Sequence, residues 1–126
     1  MQPTLPLRLP SALKEIVVAT SDLPSDDPIT RFCLEKGVSS LCGSLSNVAE
    51  RFCRLLKRHK FEAFVRISGD SPLLDPWLVD LGIEIFLDNN YDIVTNVLKR
   101  TYPKGQSIEI VKSAAFLDAY KKMKEI

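Results

Sequence analysis

The chain has 126 residues with 17 Lys and Arg against 16 Asp and Glu, and 45% of its residues are hydrophobic. This near-neutral balance gives no electrostatic reason to expect a nucleic acid or an anionic membrane surface as a partner. No apolar run approaches the ~18–20 residues of a membrane span, and the first ten residues lack the apolar core of a secretory signal. The length fits one domain, with residues 1–12 as a loose, proline-containing lead-in.

The first half of the chain predicts strands and helices in alternation. Residues 16–20 form a short β-branched run typical of a buried strand. A helix is predicted to begin at Asp26-Asp27-Pro28, with an acidic cap and proline in its first turn, and to end at Gly37. Residues 39–42 give a weaker strand, and residues 47–59 place apolar side chains on one helical stripe.

The second half continues this alternation. Three strands are predicted, at residues 61–67, 93–97 and 108–111. Asp75-Pro76 begins a helix between the first two, and Ser113 is predicted to cap the last helix. The order of elements predicts an α/β fold with a largely parallel sheet.

Cysteine and histidine are given structural interpretations. Cys33, Cys42 and Cys53 form no CxxC pair and have no neighbouring His, so neither a disulfide framework nor a zinc site is predicted. They are interpreted as packed free thiols in a reducing cytoplasm. His59 lies in the basic run 57–60 and is interpreted as part of a solvated helix end that suits the helix dipole.

Ligands of open α/β sheets bind outside the carboxyl ends of the strands, which selects the loops after each predicted strand. Gly69-Asp70 is the strongest candidate, since glycine admits a bulky ligand and a carboxylate suits a divalent cation beside phosphates. The alternative is an ordinary turn before Pro72. Asp75 is interpreted as a helix N-cap rather than a ligand, and Arg66 either faces solvent or lines a phosphate site.

The stretch 66–76, Arg-Ile-Ser-Gly-Asp-Ser-Pro-Leu-Leu-Asp-Pro, carries a family resemblance. Together with other stretches in the same order along the chain, it resembles the cytidylyltransferases of the spore-coat-polysaccharide type, which are related to CMP-sialic acid and CMP-KDO synthetases. The implied fold is a Rossmann-like three-layer α/β/α sandwich of the nucleotide-diphospho-sugar transferase type. The supporting stretches are 15–21, 26–29, 43–52, 96–103 and 105–109.

The resemblance implies transfer of CMP from CTP to a hydroxyl of an acidic sugar or polysaccharide precursor, with release of pyrophosphate. It implies Mg²⁺ as cofactor, because charge builds up on phosphate oxygens during such a transfer. Asp70 matches the family's metal-binding aspartate and is expected to be the catalytic residue. The residues that match the nucleotide loops are Thr20, Ser21, Ser44, Arg51 and Gly69. Those that fall on the expected sugar side are Asn96, Arg100 and Glu109.

Two stretches depart from the family pattern. Arg8-Leu9-Pro10 is similar to the start of the family's triphosphate-binding Arg-Leu-Pro-Gly-Lys loop, but no Gly-Lys follows it, and the match is interpreted as a coincidence. Where the family reads Gly-x-Asp-x-Glu, this chain has Ser107 at the Asp position, and a hydroxyl binds a hard cation less well than a carboxylate. The expectation is therefore an incomplete domain.

Two functions remain open for such a domain. It is either an active cytidylyltransferase or a non-catalytic remnant that binds a partner. For the remnant, an incomplete sheet leaves an unpaired strand edge, so the chain is either unstable alone or completed by a second copy in a homodimer or by a complementing chain.

Overall fold

The computed structural model describes residues 13–124. The predicted lead-in and the Arg8-Leu9-Pro10 match lie outside the described residues. The chain divides into two compact units, one of residues 15–63 with the C-terminal segment from residue 113, and one built mainly of residues 64–112. They are called here the two-stranded unit and the three-stranded unit. The expectation of a single domain stays a prediction.

The two-stranded unit contains a parallel pair of strands. Strand β1 (Val17–Ser21) pairs with β2 (Ser39–Gly43), and Ser21 lies opposite Gly43. Helix α1 (Asp27–Lys36) carries the chain from one strand to the other. The carboxyl ends of β1 and β2 therefore lie at the same edge, as the sequence predicts.

The ends of α1 follow the sequence in one case and differ in the other. Gly37 ends the helix in the left-handed conformation (φ 68°), as predicted, and its N–H faces the carbonyls of Cys33 and Leu34. The predicted acidic cap is wrong, because the Asp26 side chain makes no capping hydrogen bond. A short 3₁₀ turn, Pro24–Asp26, brings the chain into the helix instead, and the Asp26 carboxylate accepts from the Ser21 hydroxyl.

Two further helices complete this unit. Helix α2 (Val48–His59) begins after Asn47, whose side chain accepts from the Glu50 N–H at 3.0 Å. Helix α4 (Ser113–Lys124) contributes Phe116, whose ring lies 6.2 Å from that of Phe52 on α2. The predicted cap of α4 is wrong, because the Ser113 hydroxyl is buried and has no hydrogen-bond partner within residues 13–124.

The predicted free thiols are confirmed within the described chain. Cys33 and Cys53 are each 3% exposed, Cys42 is half-buried, and none of the three forms a disulfide with another described residue. No group of three or more His, Cys, Asp or Glu among the described residues could hold a metal ion.

The three-stranded unit has β5 (Glu109–Lys112) between β3 (Ala63–Arg66) and β4 (Ile93–Thr95). Helix α3 (Pro76–Asp88) covers the sheet, and a Cβ added at Gly82 would lie 2.6 Å from Ile110 Cδ1, so the helix approaches β5 closely. The core of the unit is made of Leu78, Val79, Ile83, Ile108 and Ile110.

The prediction of one largely parallel sheet is wrong. The strands form two separate sheets, and β4 pairs antiparallel with β5, with Val94 opposite Ile110. The physical reason lies in the segment between β4 and β5, which contains no helix to carry the chain back along the sheet as a parallel crossover requires. The described fold is mixed α/β, with parallel and antiparallel pairing.

None of the described helices is both long enough and apolar enough to cross a bilayer.

Candidate functional site

The carboxyl end of β1 is buried and internally bonded. Thr20 and Ser21 are only 6% and 2% exposed. The Ser21 hydroxyl donates to the Asp26 carboxylate and accepts from the Leu23 N–H at 3.2 Å. It therefore fixes the shape of the loop that follows β1.

Arg51, on the first turns of α2, lies against both strands. Its Nη1 donates to the Ala19 carbonyl at 3.3 Å. A Cβ added at Gly43 would lie 2.9 Å from Arg51 Cγ, so the side chain packs directly on the end of β2. Arg51 Nε is buried and has no hydrogen-bond partner among residues 13–124. Burying a guanidinium N–H without an acceptor is costly, so this group has donor capacity suited to an incoming anion or carbonyl.

Ser44 completes this edge. Its hydroxyl accepts from the Asn47 N–H at 3.1 Å, which places it at the start of α2. The Asp22 N–H donates to the Gly43 carbonyl at 2.9 Å and joins the loops after β1 and β2. The structure thus brings Thr20, Ser21, Ser44 and Arg51 together at one edge of the two-stranded unit.

Gly43 belongs to a predicted loop and to a stretch that carries the family resemblance, but no role of its own was predicted for it. Its lack of a side chain makes room for Arg51, and the available signal was a glycine at a strand end, which often marks a close approach by another group.

In the three-stranded unit, Asp70 lies exposed on a turn after β3. Its Oδ1 accepts from the Ser68 hydroxyl at 2.6 Å, and the Ser71 N–H donates to the Ser68 carbonyl at 3.2 Å. A Cβ added at Gly69 would meet no atom within 4 Å, so this glycine borders open space. The turn is present, and the metal-binding role of Asp70 stays a prediction.

Asp70 presents one exposed carboxylate to a candidate Mg²⁺ ligand set. Protein-bound Mg²⁺ usually keeps several waters and takes one or two carboxylates together with substrate phosphates. One exposed carboxylate fits that mode, and Ser107, which stands at the second Asp position of the family pattern, offers only a hydroxyl. The donor set therefore fits a Mg²⁺ that binds together with a nucleotide, and Asp70 would hold it.

The prediction that Asp75 is a helix cap is confirmed. Asp75 Oδ1 accepts from the Trp77 N–H at 2.9 Å at the start of α3. Of the two alternatives for Arg66, the solvent-facing one agrees with the structure, since the side chain is 48% exposed, and Nη1 also pairs with Glu109 Oε2 at 3.2 Å.

The three predicted sugar-side residues differ in their surroundings. The Asn96 amide donates to the Gln106 carbonyl at 2.6 Å and accepts from the Ile108 N–H at 3.0 Å. Glu109 is held by Arg66, and Arg100 is exposed in the segment after β4. Asn96 directly follows Thr95, the residue of β4 that pairs with Glu109 on β5. The sugar-binding roles of Asn96 and Glu109 stay predictions.

The structural role of Gln106 was also not predicted from the sequence. Its Oε1 accepts from the Asp75 N–H and its Nε2 donates to the Leu73 carbonyl, both at 2.9 Å. The side chain thereby ties the segment after Asp70 to the segment before β5. No sequence signal pointed to it, since Gln106 falls on an unspecified position of the Gly-x-Asp-x-Glu pattern.

Comparison with solved structures identifies the class of fold. The chain is similar to a cytidylyltransferase from Leptospira borgpetersenii, with a TM-score of 0.79 and 30% sequence identity over 83% of this chain and 45% of that one. The fold is thus of the Rossmann-like nucleotide-sugar transferase type, as the sequence predicts.

The family follows from sequence comparison. The cytidylyltransferase family model matches residues 7–125, and the chain belongs to this family. It is 34% identical to an uncharacterized protein of Methanocaldococcus jannaschii over 94% of this chain and 48% of that protein. It is 32% identical to the spore coat polysaccharide biosynthesis protein SpsF of Bacillus subtilis, over 82% of this chain and 42% of SpsF.

A third relative is the 3-deoxy-manno-octulosonate cytidylyltransferase of Chlamydia trachomatis. It is 35% identical over 71% of this chain and 36% of the relative. The chain thus spans about half the length, or less, of the curated relatives it matches.

Proposed function

We propose that this chain takes part in the transfer of CMP from CTP to a sugar hydroxyl, with release of pyrophosphate. Family membership supports the use of CTP, and the relatives named for spore coat polysaccharide and 3-deoxy-manno-octulosonate support an acidic sugar or a polysaccharide precursor as acceptor. The sugar oxygen would form a bond to the α-phosphorus of CTP, and the bond to the bridging oxygen would break as pyrophosphate leaves.

The observation that carries this proposal is the placement of Arg51. Its Nη1 is anchored on the Ala19 carbonyl and its Cγ packs against Gly43, while its buried Nε has no partner within the described chain. A cation fixed before the ligand arrives needs no reorganisation when it meets negative charge. This is the property that a nucleotide site at the carboxyl edge of β1 and β2 requires.

Asp70 supplies the second part of the proposal. A Mg²⁺ ion held there would neutralise charge that develops on the phosphate oxygens. Both nucleotide binding and the metal role can be tested through the thermal stability of the chain.

The first experiment measures the melting midpoint with CTP, with and without Mg²⁺, for wild type, Asp70→Asn and Asp80→Asn. Asp80 is an exposed carboxylate on α3 and serves as the matched control. CTP at ~100 times its dissociation constant should add about 2.7 kcal/mol of stability. We expect the Mg²⁺-dependent part of this gain to be lost in Asp70→Asn and kept in Asp80→Asn.

Each other result has a defined meaning. An unchanged Mg²⁺ effect in Asp70→Asn would rule out the metal role of Asp70. A cooperative transition whose melting midpoint does not change with CTP would contradict nucleotide binding and favour the partner-binding remnant. Release of pyrophosphate from CTP and Mg²⁺, measured with a panel of acidic sugars that includes 3-deoxy-manno-octulosonate, then tests the acceptor.

The second experiment compares Arg51→Lys with Arg54→Lys. Lysine keeps the positive charge but lacks the planar set of donors, so Arg51→Lys should weaken CTP binding about tenfold. Arg54 is exposed on the same helix, and its substitution should leave CTP binding unchanged. Equal affinities of the two variants would remove Arg51 from the nucleotide site.

A further inference from the structure

A cavity of about 290 Å³ lies at the other end of the strands in the two-stranded unit. Its walls come from the start of β2, from one side of α1 and from the last turn of α2. The lining residues are Thr30, Leu34, Val38, Ser39, Ser40, Arg58 and His59. Ser39 begins β2, whereas Gly43 ends it, so the cavity is separate from the edge proposed to bind the nucleotide.

His59 is held firmly at this cavity. Its ring stacks on Phe61 with centroids 5.3 Å apart and an interplanar angle of 13°. Its Nδ1 lies 3.6 Å from Glu15 Oε1, and its side chain is only 18% exposed. The interpretation of His59 as part of a solvated helix end is therefore wrong, because both contacts draw the ring out of solvent.

Glu15 fixes a second lining residue. The Ser39 hydroxyl donates to the same Oε1 atom at 3.0 Å. The carboxylate thus faces Ser39 and His59 Nδ1 together, which leaves His59 Nε2 as the ring nitrogen available to a ligand. Groups fixed in advance lose little conformational entropy when a ligand binds.

The chemistry of the lining favours an anion. Arg58 contributes a guanidinium and Ser40 a hydroxyl, and His59 presents Nε2, the ring nitrogen opposite the one that faces Glu15. Guanidinium groups form charge-assisted, often bidentate hydrogen bonds with phosphate oxygens. Leu34 and Val38 add apolar surface for a short uncharged body. The volume lies near the lower limit of ligand pockets, which run from about 300 to 1,000 Å³.

We propose that this cavity is a second ligand site, which binds a small phosphate-bearing molecule through Arg58, His59 Nε2 and Ser40. The site is independent of the proposed transferase function, since it shares no residue with the edge that holds Arg51.

The test is a ¹H–¹⁵N NMR titration of the folded chain with inorganic phosphate, at ionic strength kept constant with chloride. We expect saturable shifts of the backbone amides of residues 38–40 and 59. Arg58→Gln should weaken phosphate binding about tenfold, as expected for the loss of a charge-assisted hydrogen bond. Arg54→Gln removes the same charge from an exposed site outside the cavity and should bind phosphate as wild type does.

Several results would overturn the proposal. Shifts that grow linearly with phosphate and spread over the basic surface would show nonspecific attraction only. Equal affinities in Arg58→Gln and Arg54→Gln would exclude Arg58 as a ligand. If acetate shifts the same backbone amides with an affinity equal to that of phosphate, the site recognises carboxylates and the proposed preference for phosphate is wrong. Arg58→Gln is expected to keep the Mg²⁺-dependent CTP effect, which separates this test from that of the nucleotide site.

Discussion

The two units present their predicted site residues in opposite ways. At the carboxyl edge of the two-stranded unit, Thr20 and Ser21 are almost fully buried, and Arg51 is packed against Gly43. In the three-stranded unit, Asp70 and Arg100 are exposed. The first region owes its geometry to a close-packed interior, whereas Asp70 and Arg100 lie on surface segments. Substitutions should therefore affect the stability of the first region strongly and that of the second weakly.

The largest contrast is expected for leucine truncation. Leu56 on α2 is 3% exposed, and Leu98 in the segment after β4 is 91% exposed. Leu56→Ala should lower the free energy of unfolding by about 2–5 kcal/mol, because it removes buried contacts and leaves a cavity. Leu98→Ala should change it by less than about 0.5 kcal/mol. Urea unfolding measures both, and similar midpoints for the two variants would contradict the contrast.

Two glycine substitutions, one in each unit, test the same contrast between a packed and an exposed region. Gly43→Ala places a Cβ 2.9 Å from Arg51 Cγ, so it should cost about 1–3 kcal/mol and displace the guanidinium. Gly69→Ala meets no atom within 4 Å and should be neutral or stabilise by about 0.4–1 kcal/mol through the unfolded state. Thermal unfolding with and without CTP reports both effects. A stable Gly43→Ala variant with full CTP binding would show that Arg51 does not depend on this close approach.

A smaller effect on stability is expected for the ion pair between Arg66 and Glu109, at the start of β5. Arg66 and Glu109 are 48% and 27% exposed in their side chains, so solvent screens their attraction. A double-mutant cycle with Arg66→Gln and Glu109→Gln should give a coupling free energy of about 0.2–1 kcal/mol, which falls as salt is added. A coupling that salt leaves unchanged would contradict an exposed pair.

The smallest expected effect depends on pH. Burial raises the pKa of the Cys53 thiol above its ordinary value of 9.0, against the influence of Lys57 and Lys124. The folded state therefore favours the neutral thiol. This contribution to stability is fully present at pH values below the pKa of the thiol in the unfolded chain, and it is lost as pH rises through the higher pKa of the thiol in the folded chain.

Cys53→Ala isolates this titration, because alanine cannot ionise. The difference in unfolding free energy between wild type and Cys53→Ala should be constant below about pH 8 and move against wild type above about pH 9. A difference that stays constant through alkaline pH would show that the thiol ionises equally in both states.

Sequence patterns located most elements within one to three residues. Gly37 and Asp75 acted as the helix-end signals predicted, because their roles depend on local backbone geometry. The sheet arrangement was missed because antiparallel pairing of β4 and β5 depends on the path of a long connecting segment, which periodicity does not encode. The contact between Glu15 and His59 was missed because it joins residues far apart in the sequence.

The candidate site divides in the same way. The loops that follow strands could be selected from sequence, since the carboxyl ends of parallel strands must meet at one edge. The hydrogen bonds of Gln106 and the close fit of Gly43 to Arg51 arise only from tertiary packing. Resemblance supplied residue roles, and those roles await the binding experiments.

Asn96 has a consequence for how this fold can diversify. Its amide bonds to Gln106 and Ile108 directly beyond the Thr95–Glu109 pair, so the side chain closes the base of the segment from Val97 to Gly105. Each doubling of the length of a closed loop costs only about 0.6 kcal/mol of closure free energy. Insertions and deletions in this segment would thus leave the pairing of β4 with β5 intact, and the length of the segment can change without altering the core of the unit.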